Sequence, residues 1–271
     1  MSSLNENLKQ AATWIADADS LIITAGAGMG VDSGLPDFRG PQGFWKAYPA
    51  LGRHNLGFED IACPESFHSH PRLAWGFYGH RLALYRDTVP HSGFSLLKRS
   101  ADPQPHGAFI YTSNVDGQFQ KAGFSEDRII ECHGSIHHLQ CLTPCSNNIR
   151  PASNLKVYID SANSEWLTSL PACPDCGEMV RPNILMFNDC EWLPHRLQAQ
   201  QAHYQQWPAL RPVVIELGAG TTIPSVRRFG ESLSAPLIRI NPRESEIKNP
   251  QAVGLPMGAL EALQAINRLL T

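Results

Sequence analysis

Short apolar runs alternate with helical patterns along most of this chain. Leu4, Leu8, Ala11 and Ile15 recur at helical spacing, which predicts an amphipathic helix over 4–18. The run LIITAG (21–26) leads directly into a glycine-rich turn, which favours a buried strand over a buried helix. Similar runs predict strands at 108–113, 128–133, 213–218 and 236–241, and helical patterns lie at 71–86, 92–100, 115–122, 193–206, 224–233 and 258–270. This alternation predicts an α/β fold, with a parallel sheet covered by helices on both faces.

Two stretches break the alternation and are predicted to be insertions. Residues 35–70 are rich in proline, glycine, histidine and aromatic residues and show weak periodicity. Residues 139–182 hold four cysteines together with several proline, asparagine and serine residues. The first stretch is interpreted as a segment that covers a ligand, and the second as a metal-binding module.

Composition narrows the class of protein further. The chain has 271 residues, 42% of them hydrophobic, and a net charge of −3. That balance argues against a protein that binds nucleic acid through bulk positive charge. The first 20 residues lack the basic and apolar regions of a secretory signal, and no apolar run approaches the roughly 18–20 residues that span a bilayer. We therefore expect a soluble, cytoplasmic protein without a nucleic-acid or membrane partner.

The turn after the first predicted strand has the features of a nucleotide-binding loop. It reads TAGAGMGVDSGLPDFRG (24–40), with glycines at 26, 28 and 30. Glycine lets the backbone approach a pyrophosphate, and the N-terminus of a following helix would add free N–H groups. The spacing departs from G-x-G-x-x-G because Val31 stands at the third glycine position, so a plain strand-to-helix turn stays open. Further along, Arg39 could meet a phosphate and Phe38 could shield a sugar carbon, although a surface Asp–Arg pair is the alternative.

The same loop carries a resemblance to a known family. G-A-G-x-x-x-x-S-G-x-P-D-F-R-G is similar to the NAD-binding signature of sirtuins, the NAD-dependent protein deacylases, although Gly30 replaces a usual serine. The resemblance implies NAD contacts at Ala25, Gly26, Ala27, Asp37, Phe38 and Arg39. It also implies a Rossmann-like NAD-binding domain of residues 1–138 and 183–271, in which 35–90 is partly a helical and loop insertion over the NAD site. Residues 139–182 would form a small zinc-binding module.

Polar residues close the second predicted strand. Ligands of open α/β sheets bind beyond the carboxyl ends of the strands, so Asn114 and Asp116 are well placed to hold a ribose or an amide. Capping of the next helix explains the same residues equally well. The segment resembles the sirtuin motif T-Q-N-I-D, with Ser113 in place of glutamine. The resemblance implies that these three residues contact NAD, and that Asn114 and Asp116 take part in catalysis at the nicotinamide ribose and carboxamide.

His133 is singled out among eleven histidines because it follows an apolar strand and precedes a glycine. A neutral imidazole is the side chain best suited to accept a proton near pH 7. His133 matches the catalytic histidine of the sirtuin H-G-[SA] motif. The implied role is general base toward a ribose hydroxyl, once an acyl oxygen has displaced nicotinamide. His137 and His138 are interpreted as surface or zinc-module residues, and Cys132 as a buried strand residue rather than a nucleophile.

Four of the seven cysteines form two close pairs, Cys141 with Cys145 and Cys173 with Cys176. Four thiolates satisfy tetrahedral zinc and leave no open position, which predicts a structural metal. Free thiols and disulfides are the alternatives, and a reducing compartment disfavours the latter. Sirtuins carry such a module at this place in the chain.

Two further segments resemble sirtuin ligand-binding segments. RPNILMFND (181–189) is similar to R-P-x-V-V-x-F-G-E, which implies peptide contacts at Met186 and Phe187, with Asn188 and Asp189 where Gly-Glu is usual. The turn Gly218-Ala219-Gly220 resembles the later G-T-S nucleotide loop, with Gly220 in place of serine, although another plain turn explains it as well. Asn241 matches the asparagine that meets the adenosine ribose.

Tyr78 and Arg81 lie three residues apart on a predicted helix and therefore share a face. An ordinary aromatic–cation pair on a surface helix is one explanation. Sirtuins that remove succinyl or malonyl groups carry Y-x-x-R here, with a small alanine sixteen residues earlier, which is Ala62. The resemblance implies that Tyr78 and Arg81 bind an acyl carboxylate and that Ala62 leaves room for it. Arginine suits this task because it stays charged and binds carboxylates bidentately.

Together these motifs predict an NAD-dependent lysine deacylase that acts on an acyl-lysine protein or peptide. The expected products are nicotinamide, free lysine and an O-acyl-ADP-ribose. A mono-ADP-ribosyltransferase or an NAD glycohydrolase would use the same NAD site without an acyl-lysine. A non-catalytic NAD sensor is disfavoured by the presence of His133, Asn114 and Asp116, and a zinc-binding interaction module leaves the glycine loop unexplained.

Overall fold

A computed structural model describes residues 3–36 and 40–270. The helices are α1 (Leu4–Asp17), α2 (Gly40–Ala47), α3 (Pro49–Arg53), α4 (Phe58–Ile61), α5 (Glu65–Ser69), α6 (Pro71–Asp87), α7 (Ser92–Ala101), α8 (Gln118–Lys121), α9 (His195–Gln205), α10 (Ser225–Ser232) and α11 (Ala259–Leu270). The strands are β1 (Ser20–Ala25), β2 (Ala108–Thr112), β3 (Ile129–Glu131), β4 (Gly134–Cys141), β5 (Arg150–Pro151), β6 (Ile159–Asp160), β7 (Glu165–Trp166), β8 (Val180–Ile184), β9 (Pro212–Leu217), β10 (Leu237–Ile240) and β11 (Ala252–Leu255). Short 3₁₀ turns span Ala27–Met29, Val31–Ser33 and Glu126–Arg128.

The predicted parallel sheet is confirmed. Six strands pair in the order β11-β10-β9-β1-β2-β3, and every neighbouring pair is parallel. In the centre, Leu21 of β1 pairs with Ala108 on one side and Val213 on the other. The direction of strand succession reverses at β1, which creates a crevice at the carboxyl ends of β1 and β9.

Alternate residues of β1 enter two separate apolar clusters. Leu21 and Ile23 pack in the cluster that holds buried residues of α1, α7 and α11. Ile22 packs in the other cluster, against which side chains of α9 and α10 lie. Both faces of the strand are therefore buried, which explains why its sequence is apolar throughout rather than alternating.

The helix after β2 and the edge of the central sheet differ from the sequence-based prediction. The helix expected over 115–122 is reduced to α8, because Gly117 adopts a left-handed conformation (φ 70°) and the Asp116 carboxylate accepts the backbone N–H of Gln118. The short edge strand β11 was not predicted, since a four-residue segment with Gly254 in its middle carries little strand signal.

The two insertions share one apolar core. Side chains of α2 to α6, such as Phe44, Phe67 and Trp75, pack in the same cluster as Ile136 of β4 and Ile184 of β8. The indole N–H of Trp75 also donates to the carbonyl of Val180 (3.0 Å). Strands β4 and β8 are antiparallel and belong to a three-stranded sheet with the order β5-β4-β8. The domain boundaries at 138/139 and 182/183 stay a prediction.

Helix α6 lies against the β6–β7 hairpin through two glycines. A Cβ at Gly76 would lie 1.8 Å from the carbonyl oxygen of Ser164, and one at Gly79 would lie 2.8 Å from the Trp166 ring. Only glycine lets the hairpin approach this closely. Among the residues that the structure describes, no helix is long and apolar enough to span a membrane.

Candidate active site

A cavity of about 1100 Å³ lies at the carboxyl ends of the central strands. Its walls come from the glycine loop after β1, the segment after β2, the residue after β3, the end of β8 and the loop after β9. Most of the predicted site residues line it together: Gly26, Ala27, Ala62, Tyr78, Arg81, Ser113, Asn114, Asp116, His133, Met186, Phe187, Gly218, Ala219 and Gly220. Asp37, Phe38 and Arg39 lie outside the described residues.

The two glycine loops pack directly against each other. The backbone N–H of Gly28 donates to the carbonyl of Gly218 (3.1 Å). A Cβ on Gly28 would lie 2.6 Å from the Gly218 Cα, and Gly218 itself has a left-handed φ of 58°. Glycine is therefore required here so that the two loops can touch. The sequence motif alone explains the same glycines only by the approach of a nucleotide.

The helix expected directly after the glycine turn is not formed there. Two 3₁₀ turns follow β1 instead, joined at Gly30. His91 at the start of α7 holds them in place: its Nε2 lies 2.9 Å from the carbonyl oxygen of Met29, and its backbone N–H donates to the Ser33 hydroxyl. Because a carbonyl oxygen only accepts, Nε2 of His91 carries the proton.

The residues after β2 are fixed to the end of β1. The Thr112 hydroxyl donates to the carbonyl of Ala25 and accepts the backbone N–H of Asn114, whose side-chain amide donates to the carbonyl of Gly26 (3.1 Å). Ala25, buried at the end of β1, is not among the residues that line the cavity. Asn114 thus sets the position of the glycine loop in addition to facing the cavity.

Asp116 is a buried carboxylate in the cavity wall. Burial raises its pKa to about 6, the nearby charge of Glu131 acts in the same direction, and the N–H of Gln118 and the charge of Arg81 oppose the shift. A carboxylate in this position is a strong hydrogen-bond acceptor with few other partners, as a group that holds a ribose or amide requires.

His133 follows β3 and faces the cavity. Burial lowers its pKa below the usual value, so the imidazole is neutral at pH 7 and able to accept a proton. Its Nε2 lies 3.3 Å from the hydroxyl of Ser225, the first residue of α10. A neutral imidazole that faces the cavity is able to accept a proton from a ligand bound there.

The neighbours of His133 have structural roles. Cys132 is buried in the same cluster as Ile22, as expected, but it lies in the turn after β3 and not in the strand. Burial raises the pKa of its thiol to about 11, which disfavours the thiolate that a nucleophile requires. His137 and His138 lie partly buried in β4, where His138 pairs with Pro151 of β5, and neither belongs to the cysteine cluster. His137 also supports the cavity wall: its Nε2 lies 2.9 Å from the backbone carbonyl oxygen of Asp116.

Ala62, Tyr78 and Arg81 line one part of the cavity, which we call the side branch. Tyr78 and Arg81 are 1% and 9% exposed, so the surface-pair explanation does not apply. The Arg81 guanidinium lies over the rings of Phe77 (5.2 Å) and Tyr85 (5.4 Å), and both its Nε and one Nη donate to the Tyr85 hydroxyl. A buried arginine in an aromatic surround is suited to binding a carboxylate.

The segment after β8 links His133 to this side branch. The N–H of Leu185 donates to the carbonyl of His133, and the N–H of Phe187 donates to the carbonyl of Ala62 (both 2.9 Å). Asn188 has a left-handed φ of 54°, which asparagine tolerates, and this explains how it replaces the usual glycine. Asp189 makes a fully buried, bidentate ion pair with Arg181 and also accepts the N–H of Met186. The two departures from the sirtuin motif therefore preserve the loop.

Gly220 and Asn241 lie in the segments that follow β9 and β10. Gly220 lines the cavity, and a Cβ there would meet nothing within 4 Å. Asn241 is fully buried: its amide donates to the carbonyl of Ala219, and its oxygen accepts the N–H groups of Arg243 and Glu244. Asn241 is not among the residues that line the cavity, and its contact with a ribose stays a prediction.

The four predicted metal ligands come together. The Sγ atoms of Cys141, Cys145, Cys173 and Cys176 all lie within 4.8 Å of one another. Cys141 and Cys176 are 3.6 Å apart, and Cys145 and Cys173 are 3.8 Å apart. Four sulfurs at about 2.3 Å from a zinc ion would be roughly 3.8 Å apart, so the cluster is suited to tetrahedral zinc.

Sequence reasoning did not single out Tyr85, which lines the cavity, or Ser225, which contacts His133. Tyr85 follows Arg81 by four positions on a helix, so helical spacing was a usable signal for it. Ser225 approaches His133 from a helix that begins 92 residues later, and no local pattern indicates that contact.

Comparison with known proteins places these features in a family. The sequence profile of the Sir2 family matches residues 26–238. The NAD-dependent protein deacylase of Aeropyrum pernix is 27% identical over 268 residues, which is 98% of each chain. Those of Pyrococcus furiosus and Thermococcus sibiricus are 33% and 30% identical over 180 and 186 residues. These two matches span only 63% and 65% of the relatives' length, just under two thirds of each.

Solved structures share the fold. A mutant Sir2 homologue in complex with ADP-ribose superposes with a TM-score of 0.71 at 24% identity, covering 96% of this chain and 95% of that one. The complex of a Sir2 homologue with NAD gives a TM-score of 0.70 at 22% identity, covering 96% and 93%. Since the family profile covers most of the sequence, the chain belongs to the Sir2 family, as its resemblance to the sirtuins implies.

Proposed function

We propose that this protein removes acyl groups from lysine side chains in an NAD-dependent reaction that releases nicotinamide and an O-acyl-ADP-ribose. The observation that carries the proposal is the meeting of His133, Asn114 and Asp116 in one cavity, beside two glycine loops at the carboxyl ends of the sheet. The relatives from Aeropyrum, Pyrococcus and Thermococcus are NAD-dependent protein deacylases.

The cavity has room for a ligand of the size of NAD. Its volume exceeds the roughly 300–1000 Å³ of most small-molecule sites, and it extends from the Gly218–Gly220 loop to Asp116. Gly26, Ala27, Gly218, Ala219 and Gly220 would hold the phosphates and adenosine, and Ser113, Asn114 and Asp116 the nicotinamide ribose and carboxamide. When bound, NAD supplies the ADP-ribosyl group that accepts the acyl group as nicotinamide leaves.

The residues of this chain then act by position and proton transfer. His133, kept neutral by burial, takes the proton of a ribose hydroxyl at one of its ring nitrogens. Asp116 and Asn114 would orient the ribose and the carboxamide for attack of the acyl oxygen on the sugar carbon. The overall reaction consumes one water molecule, which the release of the free lysine amine requires.

An extended acyl-lysine peptide would bind along the end of β8. The segment 185–187 directly after β8 lines the cavity, and Leu185 is 39% exposed, so an extended peptide can reach this segment from solvent. Hydrogen bonds join Leu185 to His133 and Phe187 to Ala62, so a lysine chain inserted beside Met186 and Phe187 would lie between the base and the side branch. We propose that Ala62, Tyr78 and Arg81 receive the acyl group, including acyl groups that end in a carboxylate.

The cysteine cluster would hold a structural zinc ion. Four sulfur ligands leave no open coordination position for chemistry. The metal would fix the module that carries β4 and β8, and through β8 the peptide-binding segment.

The test is nicotinamide release from NAD with an acetyl-lysine peptide, a succinyl-lysine peptide or no peptide. We expect release to require an acyl peptide and to fall by at least about 100-fold in His133→Ala, the usual range for loss of a general base. His203→Ala, on the exposed side of α9, is the matched control and should retain activity. Release that is independent of acyl-lysine would refute the deacylase and indicate a mono-ADP-ribosyltransferase or NAD glycohydrolase.

A further inference from the structure

Tyr85 occupies one edge of the Arg81 guanidinium. Its hydroxyl accepts from Nε of Arg81 at 3.0 Å and from Nη2 at 2.8 Å. These two N–H groups form one of the two forks with which arginine can grip a carboxylate bidentately. Tyr85 is 5% exposed and lines the same cavity as Arg81 and Tyr78.

The surroundings make this contact a strong one. Arg81 is 9% exposed and lies over the Phe77 and Tyr85 rings, so its donors are largely withdrawn from bulk water. Burial raises the pKa of Tyr85, which therefore stays a neutral phenol at physiological pH. Gln118 fixes the tyrosine's backbone by donating to its carbonyl. Buried donors that lose an acceptor carry the full cost of desolvation.

The hydroxyl of Tyr85 has different consequences for charged and uncharged acyl groups. When an acetyl group occupies the side branch, the Tyr85 hydroxyl still accepts from Nε and Nη2 of Arg81. These two buried donors, which form one edge of the guanidinium, therefore keep their acceptor. A carboxylate must instead approach Arg81 from another direction, since this edge is occupied. The tyrosine thus supports binding of uncharged acyl groups and competes with bidentate binding of charged ones.

We infer that Tyr85 is a specificity-determining residue that broadens the acyl range of the site, by holding Arg81 satisfied when no carboxylate is present. The inference rests on the proposed deacylase function and deepens it. Without the hydroxyl, the Nε–Nη2 edge of Arg81 loses the acceptor that Tyr85 provides. An acyl carboxylate can replace that acceptor and an acetyl methyl group cannot, so the selectivity of the enzyme shifts toward acidic acyl groups.

The experiment compares kcat/KM for succinyl-lysine and acetyl-lysine versions of one peptide in the wild type and in Tyr85→Phe. The ratio of succinyl to acetyl should rise about tenfold in the variant, the effect of one charge-assisted hydrogen bond. Tyr204→Phe makes the same change on α9, in the cluster on the opposite face of the sheet, and should leave the ratio unchanged. Arg81→Met and the double variant Arg81→Met/Tyr85→Phe should give equal ratios, because Tyr85 acts through Arg81.

An unchanged or lower ratio in Tyr85→Phe would overturn the inference, as would a tenfold rise that persists in the double variant. Both results leave the deacylase function standing, since the wild type still turns over acyl-lysine. If the wild type turns over neither peptide with NAD, the proposed function fails, and the inference fails with it.

Discussion

Burial shifts the pKa values of His133 and Asp116 in opposite directions, and each shift suits a different task in the active site. It lowers the pKa of His133, which keeps the imidazole neutral, and it raises the pKa of Asp116 to about 6. At pH 7.5 Asp116 is nevertheless ionised, so the protein holds a charged carboxylate where a neutral group would be more stable. Such a group is expected at a functional site and is unfavourable for the fold alone.

Replacement of Asp116 by asparagine should therefore stabilise the protein near neutral pH while it abolishes activity. Because the folded pKa is raised above the unfolded value of 3.8, the ionised form destabilises the fold as pH rises through about 6. A shift of about two units corresponds to at most about 3 kcal/mol at pH 7.5. Urea unfolding of Asp116→Asn and wild type at pH 7.5 and pH 4 measures the gain, which should vanish at the lower pH. An equal gain at both values would show that the carboxylate charge is not responsible.

Gly220→Ser restores the residue usual in sirtuins at a position with open space. A Cβ there meets nothing within 4 Å, so we expect the free energy of unfolding to change by less than about 0.5 kcal/mol. The added hydroxyl can donate one hydrogen bond to bound NAD, worth about 0.5–1.5 kcal/mol. The Kd for NAD, measured by calorimetry, should fall about two- to tenfold. An unchanged Kd would argue that the loop does not contact the cofactor.

Individual residues could be predicted from the sequence where a motif is contiguous. The local order of residues places Asn114, Asp116 and His133 directly after strands, and the structure brings their side chains to one cavity. The roles of Asn241 and His137 could not be predicted in this way, because each is defined by a hydrogen bond to a distant backbone carbonyl. Such contacts depend on how the elements pack, which short motifs do not encode.

Helix α6 packs against the β6–β7 hairpin and also contributes side chains to the cavity. Gly76 and Gly79 allow the β6–β7 hairpin to approach one side, while Tyr78, Arg81 and Tyr85 line the cavity. The position of the side branch therefore depends on how closely the hairpin packs against the helix.

Gly76→Ala should destabilise the protein, although alanine is the better helix former. The gain in helix propensity is about 1 kcal/mol. Against it, the new Cβ would lie 1.8 Å from a backbone oxygen, and overpacking of this kind costs about 1–3 kcal/mol or more. We expect a lower Tm, with Gly220→Ala as a control at an open position. An unchanged Tm would mean that the hairpin moves away freely.

At the level of elements, the sequence predicted the central sheet better than the insertions. Strands buried on both faces give continuous apolar runs, such as LIITAG, that stand out from their surroundings. Helices α2 to α5 are four to eight residues long, too short to show a helical period, and they are stabilised by the core that they share with β4 and β8. That core joins segments far apart in the chain, so local pattern could not reveal it.

At the scale of the whole molecule, we expect both the stability of the fold and the activity to depend on bound zinc. Cys173→Ser removes one of four ligands, and structural zinc sites contribute directly to folding free energy. We expect about one zinc per chain in the wild type and a large loss in the variant, measured by atomic emission, together with a lower Tm. Cys190→Ser, an exposed cysteine outside the cluster, should match the wild type. Full zinc content in Cys173→Ser would exclude this ligand set.

The central place of β1 in the sheet has a consequence for synthesis on the ribosome. β1 needs β9 as one of its two partners, and at about 5–20 residues per second the roughly 190 residues between them take on the order of 10–40 s to translate. During that interval the nascent chain presents an apolar strand with one unpaired edge, which is a template for aggregation. The Gly28–Gly218 contact between the two loops forms only after that interval. A growing chain of this protein is therefore a natural client for chaperones that shield apolar segments, and its active site is among the last features to be completed.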